Sequence, residues 1–281
     1  MIQHYDYLNA KSVVVCGDIH GKFDELVYRM VTMYQMTDTV VIVAGDCGFG
    51  FHKRGYYDAV YNRVLPKLER ANCWVVFVRG NHDNPAYFDG EEINKKRWIA
   101  VPDYSMVAVC GKRILCVGGA TSVDRHNRES YGNPVYVPKP DYRGMFDERM
   151  SAMMQTIAEH RIALTPADWW PLETPYYDES ALASVDRIGR TFDTVVSHIP
   201  PSMCEDVTPP TWLSYLVEND PTLPDDMKRD RETMDALLKY LRRHCHHIRN
   251  WLYGHYHHSW NAEIDGIHYT MLKTFEMKEL R

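Results

Sequence analysis

The stretch Val40-Val41-Ile42-Val43-Ala44-Gly45-Asp46-Cys47-Gly48 joins an apolar run to a glycine-aspartate pair. A near-continuous apolar run of this length that ends at glycine predicts a strand buried on both faces. Glycine lets the backbone turn sharply, so the aspartate is expected directly beyond the strand. Open α/β sheets place their binding crevices at this carboxyl edge.

The same arrangement occurs four more times along the chain, after the predicted strands 13–16, 73–78, 192–196 and 248–253. The motifs are Gly17-Asp18-Ile19-His20-Gly21, Gly80-Asn81-His82-Asp83, Ser197-His198-Ile199-Pro200-Pro201 and Gly254-His255-Tyr256-His257. Carboxylates, amides and imidazoles together suit divalent first-row metals. Seven such side chains are too many for one tetrahedral site, but they suit two ions that share a bridging carboxylate.

Helices and hairpins are predicted between these strands. Apolar residues at helical spacing predict helices over about 22–36 and 56–70, and Pro66 is expected to kink or shorten the second. This alternation implies a mostly parallel sheet with right-handed crossovers. Residues 106–117 and 259–272 each predict a β-hairpin.

The five motifs, in this order, resemble the calcineurin-like metallophosphoesterase superfamily, with most similarity to bacterial and phage members. The resemblance extends from Gly17 to His257. It implies a layered α/β fold, with two mixed β-sheets packed face to face and flanked by helices, as a single domain over residues 1–281.

The resemblance also implies roles for individual residues. One metal ion would bind Asp18, His20, Asp46 and His257. The other would bind Asp46, Asn81, His198 and His255, so that Asp46 bridges the two ions. His82 would be the catalytic histidine beside the leaving-group oxygen.

The implied reaction is hydrolysis of a phosphomonoester or a phosphodiester by attack of metal-bound hydroxide, on a phosphorylated small molecule or a nucleotide-like substrate. The ligand set suits manganese, iron, zinc or nickel. Two alternatives stay open: a nuclease or other nucleic-acid-processing phosphodiesterase on the same core, and a non-catalytic protein-interaction scaffold. The net charge of -6 disfavours the first, and the complete ligand set disfavours the second.

The sequence departs from the protein Ser/Thr phosphatase branch, in which the second motif continues as Gly-Asp-x-Val-Asp-Arg-Gly. Phe49 and Gly50 stand at the positions of its second aspartate and its phosphate-gripping arginine, and Asp83 replaces a usual glutamate. We therefore do not predict a protein phosphatase of that branch. Candidate replacements for the arginine are Arg54, Arg125 and Arg128.

Residues 121–186 interrupt the alternation and are rich in Tyr, Pro, Arg and Asp, with one helix predicted over 145–160. Two interpretations are equally favoured for this insertion. It is a cap over the active site, with aromatic residues such as Trp169 and Trp170 as stacking surfaces. Alternatively, it is surface packing that closes the sheet edge.

The segment Gly118-Gly119-Ala120-Thr121-Ser122, which leads into the insertion, resembles one in bacterial and phage members of the superfamily. By that resemblance, Asp124, Arg125 and Arg128 would border the crevice and contact substrate. The alternative is a helix-capping turn in which Asp124 is the cap and the arginines are solvated.

Composition and the remaining Cys and His residues indicate an ordinary globular enzyme. An apolar content of 45% permits a substantial core. The chain has no apolar run long enough to span a bilayer and no signal-peptide pattern, which predicts a cytoplasmic protein without membrane contact. Cysteines 16, 73, 110 and 116 are predicted to be buried and reduced, and Cys47 to be a small turn residue rather than a ligand. His244, His246 and His247 are predicted to form the last turn of a helix that begins near Arg231.

Overall fold

Thirteen strands form two mixed sheets in the residues that the computed structural model describes: 2–125, 167, 169–187, 189–204 and 213–281. In chain order they are β1 (His4–Tyr7), β2 (Ser12–Cys16), β3 (Thr39–Ala44), β4 (Trp74–Val78), β5 (Asn94–Lys95), β6 (Trp98–Ala100), β7 (Ser105–Val109), β8 (Lys112–Val117), β9 (Thr194–Ser197), β10 (Asn250–Tyr253), β11 (Trp260–Ile264), β12 (Ile267–Met271) and β13 (Met277–Glu279). One sheet has the order β13-β2-β3-β4-β6-β5, and the other has β1-β7-β8-β9-β10-β12-β11.

Five α-helices accompany the strands in the described residues: α1 (Phe23–Tyr28), α2 (Arg54–Ala71), α3 (Glu179–Arg187), α4 (Leu213–Asn219) and α5 (Leu223–Arg243). Among these residues, no helix has the length and apolar character needed to cross a bilayer.

The strands that precede the motifs are parallel neighbours. β2, β3 and β4 pair in register in the six-stranded sheet, and β9 pairs with β10 in the seven-stranded sheet. Their apolar residues alternate between two buried layers. Val13, Val40 and Ile42 share a core with Val196 and Leu252 of the other sheet. Because both faces of these strands are buried, the runs are continuous rather than alternating in sequence.

The residues on the opposite strand faces form two outer cores. Val14, Val41 and Phe77 pack with the apolar faces of α1 and α2. Leu115, Val195 and Trp251 pack with α3 and α5. The prediction of two mixed sheets packed face to face and flanked by helices is confirmed.

Both predicted hairpins are present. β7 and β8 pair antiparallel, as do β11 and β12. The turn of the second hairpin places Asp265 at φ 50° and Gly266 at φ 75°. Two consecutive left-handed residues define a type I′ turn, which is the geometry that Asp-Gly favours.

The two predicted helices after the first motifs differ from the structure in detail. α1 ends at Tyr28 and continues as one π-helical turn over Arg29–Met33. α2 runs unbroken through Pro66, so the expectation that this proline would shorten it was wrong. Pro66 lies on the exposed face of α2, where water can bind the carbonyl group that loses its helical hydrogen bond.

Three other predictions need correction. α5 begins at Leu223, eight residues before Arg231, with Pro224 in its first turn, a common position for proline. The helix ends at Arg243, so His244, His246 and His247 all lie beyond its last turn, with His244 as the C-cap residue. His246 is buried and bonds Asp186 at 3.0 Å. All seven cysteines are free, but Cys110 is exposed, because it is in the turn that follows β7.

Candidate dinuclear metal centre

All five motif loops lie beyond the carboxyl ends of their strands, and the loops of the two sheets meet there. A hydrogen bond between sheets shows this directly: Nδ1 of His198, after β9, donates to the carbonyl oxygen of Ala44, at the end of β3, over 2.8 Å. That bond leaves Nε2 of the neutral imidazole as an acceptor directed into the crevice. Gly45 permits the approach, since a Cβ atom there would lie 2.8 Å from Cε1 of His198.

One group of ligand-type atoms comes from four side chains of the predicted first site. Asp18, His20, Asp46 and His257 each offer one atom, and all four atoms lie within 4.8 Å of one another. Nε2 of His257 is 3.0 Å from Oδ2 of Asp18 and 2.9 Å from Nε2 of His20. Two imidazole nitrogens and a carboxylate that converge in this way match the donor set of a divalent ion.

A second group shares Asp46 with the first. Asp46, His198 and His255 offer atoms within 4.8 Å of one another. The amide oxygen of Asn81 is 3.0 Å from Nε2 of His198 and 3.0 Å from Nδ1 of His255. Oδ1 of Asp46 is 3.2 Å from Nε2 of His198. The residues present therefore fit two divalent ions on either side of Asp46.

The electrostatics of the cluster reflect buried carboxylates beside imidazoles. Burial lowers the pKa of His198, but the Asp46 carboxylate outweighs it and raises that pKa to about 9. Burial opposes ionisation of Asp46, yet His198 holds its pKa well below the usual value. Burial and His198 depress the pKa of His255, whereas a hydrogen bond with Asp18 raises that of His257.

Four of the ligand-type residues have left-handed backbone, with φ of 43° at His20, 46° at Asp46, 71° at His255 and 57° at His257. L-residues seldom adopt this region, although Asp and His are enriched there. Such positions cluster at functional sites, where a cost of order 1–3 kcal/mol each persists because the surrounding structure fixes it. These turns aim the side chains inward at the cluster.

His82 lies beside the first group. Its backbone N–H donates to Oδ1 of Asp46 over 2.9 Å, and its ring centroid is 5.8 Å from that of His20. Phe51 faces the His82 ring edge-on at 6.5 Å. The half-buried imidazole is thus positioned at the edge of the cluster.

Asp83 fixes the loop of the second motif. Its fully buried carboxylate accepts hydrogen bonds from the backbone N–H groups of Cys47, Gly48, Phe49 and Gly80, at 2.7–2.9 Å. Burial and the nearby Asp46 charge raise the pKa of Asp83 to about 6. The Cys47 thiol donates to the carbonyl oxygen of Val78, as expected of a turn residue.

The candidate substrate-binding arginines lie in different surroundings. Arg54 is exposed and forms an ion pair with Glu92. Arg125 is fully buried, and its guanidinium bonds Asp220 at 2.6 Å and Asp226 at 2.7 Å. The alternative interpretation, which placed the arginines in solvent, is therefore wrong for Arg125. Because carboxylates hold its guanidinium, Arg125 serves as an anchor between its segment and α5.

Asp124 is half-buried next to this anchor. Arg128 and the helix predicted over 145–160 lie outside the described residues. The described end of the insertion is packed inward: Trp169 and Trp170 are buried. In the described residues, these two indoles are core packing rather than open stacking surfaces.

Trp170 also explains the missing arginine of the second motif. Gly50 has φ 117°, and a Cβ atom on it would lie 2.6 Å from Cη2 of Trp170 and 2.8 Å from Cβ of Asn84. The backbone N–H of Ala167 donates to the carbonyl oxygen of Gly50 over 3.0 Å. The end of the insertion thus occupies the space that a longer side chain at residue 50 would need.

Sequence reasoning missed the residues behind Asn81. Nδ2 of Asn81 donates to the Ser122 hydroxyl, which donates to the buried carboxylate of Glu173. Arg79, which binds Asp103, donates to the carbonyl oxygen of Glu173 over 2.7 Å. No periodicity links these positions, because Ser122 is 41 residues from Asn81.

The family model described as calcineurin-like phosphoesterase matches residues 11–259. The chain belongs to this family. The two groups of ligand atoms around Asp46 are the candidate dinuclear site of this family member.

Two curated relatives match part of the chain. The serine/threonine-protein phosphatase 6 catalytic subunit of Drosophila melanogaster is 32% identical over 124 residues, 39% of this chain and 40% of its own. The serine/threonine-protein phosphatase PP1-1 of Saccharomyces cerevisiae is 31% identical over 125 residues, 39% of each chain. The match thus spans about two fifths of each relative's length.

Solved structures resemble this phosphoesterase over most of its length. A dimetal phosphatase from Danio rerio aligns with 94% of this chain and 87% of its own, at 13% identity and a TM-score of 0.44. A phosphopantetheinyl hydrolase from Mycobacterium tuberculosis aligns with 94% and 90%, at 12% identity and a TM-score of 0.41. Likenesses of this degree say nothing about the substrate of this protein.

Proposed function

We propose that this protein hydrolyses a phosphomonoester or phosphodiester, in a phosphorylated small molecule or a nucleotide-like substrate, at a dinuclear metal site bridged by Asp46. The observation that carries the proposal is the sharing of Asp46 between two groups of converging ligand atoms. Asp18, His20 and His257 would complete one ion's ligands, and Asn81, His198 and His255 the other's.

Bound ions would supply Lewis-acid activation of water and neutralise charge on the phosphoryl oxygens. The side chains of this protein would prepare that chemistry. Asp46 and Asp18 are both buried, and their carboxylates would provide fixed negative charge for binding cations. The bond from His198 to Ala44 fixes the tautomer in which Nε2 is the ligand.

His82 would act on the leaving group. Its backbone bond to Asp46 fixes its distance from the cluster, and its half-buried ring lies beside His20 at the cluster edge. In the protonated form, the imidazole donates a proton to the leaving alkoxide, an effect typically worth about 10²–10⁴-fold. The aromatic ring of Phe51 lies beside the His82 ring and would favour an apolar or flat leaving group.

The test is a matched screen on chelator-treated protein with manganese, iron, zinc or nickel added back. Aryl phosphate monoesters, bis-aryl diesters, nucleotides and labelled single-stranded nucleic acid should be assayed in parallel. Metal-dependent turnover of small esters supports the proposal. Turnover of strands alone would support the nuclease alternative, and metal binding without hydrolysis of any ester would support the scaffold. The choice of metal and the cytoplasmic location stay predictions.

A further inference from the structure

A directional chain of hydrogen bonds lies behind Asn81. Nδ2 of Asn81 donates to Oγ of Ser122 over 2.9 Å. Oγ of Ser122 donates in turn to Oε2 of Glu173 over 2.5 Å, and the backbone N–H of Ser122 donates to Oε1 over 2.9 Å. A hydroxyl group has a single proton to donate, so once it donates to the carboxylate it can only accept from Asn81.

This polarity decides which end of the Asn81 amide faces the cluster. With Nδ2 held by Ser122, Oδ1 is directed at His198 and His255, 3.0 Å from a nitrogen of each. The reversed amide would present N–H groups, which cannot bind a cation. The chain therefore selects the orientation that a metal ligand needs.

The residues of this hydrogen-bond chain are buried and held in place. Asn81, Ser122 and Glu173 are all at most 2% exposed. The backbone of Glu173 is itself fixed, because its carbonyl oxygen accepts from Arg79 over 2.7 Å and from the N–H of Ala120 over 3.0 Å. The Glu173 carboxylate is therefore held in one orientation toward Ser122.

We propose that Glu173, through the Ser122 hydroxyl, is a positioning residue that orients Asn81 as a ligand of the second metal ion. This rests on the proposed function, because it needs an ion at Asp46, Asn81, His198 and His255. Ser122 lies at the start of the insertion over 121–186 and Glu173 near its end. Residues from both ends of the insertion therefore control the affinity of the protein for one of the two ions.

Two single variants test the proposal by manganese titration of the metal-free protein. Calorimetry measures the two affinities, and electron paramagnetic resonance detects the coupled pair of ions. In Ser122→Ala the Asn81 amide loses its acceptor. In Glu173→Gln one carboxylate oxygen becomes an NH₂ group. This group must face either the backbone N–H or the hydroxyl of Ser122, both of which are donors in the parent protein. Each should weaken the second ion by about 10–100-fold, lose the coupled signal and leave the first ion within about twofold.

Ser105→Ala is the matched control. Ser105 is also buried, and its hydroxyl donates to the carbonyl oxygen of Pro102 over 2.7 Å; within the described part of the chain it makes no bond to Asn81. It should lower the melting temperature without changing either affinity. The double variant Ser122→Ala with Glu173→Gln should bind the second ion no more weakly than Ser122→Ala alone, because the serine transmits the effect.

Wild-type affinity for both ions in Ser122→Ala and Glu173→Gln would overturn the proposal, as would an equal loss in Ser105→Ala. A parent protein that binds no manganese, or a single ion, would instead overturn the proposed dinuclear function. Circular dichroism of each variant separates these results from unfolding.

Discussion

The indole of Trp170 occupies the space into which a side chain on Gly50 would extend, with Cη2 only 2.6 Å from the position of such a Cβ atom. Residue 50 is where the protein Ser/Thr phosphatase branch carries its arginine, so in this protein that position is closed by packing.

Gly50→Ala is therefore expected to destabilise the fold by about 3 kcal/mol or more, from backbone strain and overpacking together. Gly111→Ala is the control: Gly111 has φ 74° with nothing within 4 Å of its Cβ position, so it should lose only about 1–2 kcal/mol for its backbone. Urea unfolding measures both. Equal losses in the two variants would show that Trp170 is not the obstacle.

Asp46→Asn should lower turnover about 1,000-fold or more, because metal-ion catalysis is worth several kcal/mol and each 1.36 kcal/mol is tenfold. Asp46 belongs to both groups of ligand atoms, so both metal affinities should fall. Turnover of an aryl phosphate and metal content after dialysis are the measurements. Asp24→Asn, at an exposed ion pair with Arg63, should change neither. An Asp46→Asn enzyme with wild-type turnover would contradict the assignment of the site.

His82→Ala should lose about 10²–10⁴-fold in kcat and keep both metal ions, as expected for a general acid outside the ligand set. The loss should be larger for an alkyl ester than for a nitrophenyl ester, because a good leaving group needs no proton. The exposed His258 makes a bond to the carbonyl oxygen of Tyr256, and His258→Ala is the matched control with little expected loss. If the loss were the same for all leaving groups, proton donation by His82 would be ruled out.

Asp83→Ala should cost about 3 kcal/mol or more, because four backbone N–H donors would be left buried without their acceptor. Asp89 also accepts two backbone N–H bonds, from Glu91 and Glu92, but it is only half-buried and Glu91 is exposed, so water can partly replace it. Asp89→Ala should therefore cost less than about 1 kcal/mol. The stabilities of the two metal-free variants are compared by their denaturant unfolding midpoints. Similar losses of stability would argue against Asp83 as the anchor of the motif loop.

Metal affinity should rise with pH. The metal-free pKa of His198 is raised to about 9, so below pH 9 a metal must displace a proton from this ligand. We expect the second ion to bind about tenfold more tightly per pH unit between about pH 7 and 8.5, with proton release detected by calorimetry in buffers of different ionisation enthalpy. An affinity for the second ion that does not change over this pH range would contradict the prediction.

The same pKa has the opposite effect on the metal-free fold. A raised folded-state pKa stabilises the protein fully below about pH 6.5, the value in the unfolded chain, and that contribution is lost as the pH rises through about 9.

The parts of the fold that sequence predicts well are those fixed by local patterns. Continuous apolar runs identified β2, β3, β4, β9 and β10, because burial on both faces leaves no room for polar residues. The Asp-Gly pair identified one hairpin because its turn geometry is specific. Convergence of the motif side chains followed from their common position after parallel strands.

What sequence could not predict depends on contacts between distant segments. Arg125 is separated by 95 residues from the carboxylate of Asp220 that holds it, so its burial has no local signal. The same is true of Glu173, which reaches Asn81 only through Ser122. The early start of α5 was predictable, since Pro224 followed by two aspartates is a typical helix N-terminus.

The left-handed turns at His20 and His257 bear on how such a protein would change if catalysis were no longer under selection. Glycine at either position would relieve backbone strain and remove a proposed metal ligand in the same step. Without selection for catalysis, substitutions that increase stability at these positions would therefore reduce the activity. A lineage that retains histidine at both turns is one in which selection for turnover opposes the gain in folding free energy.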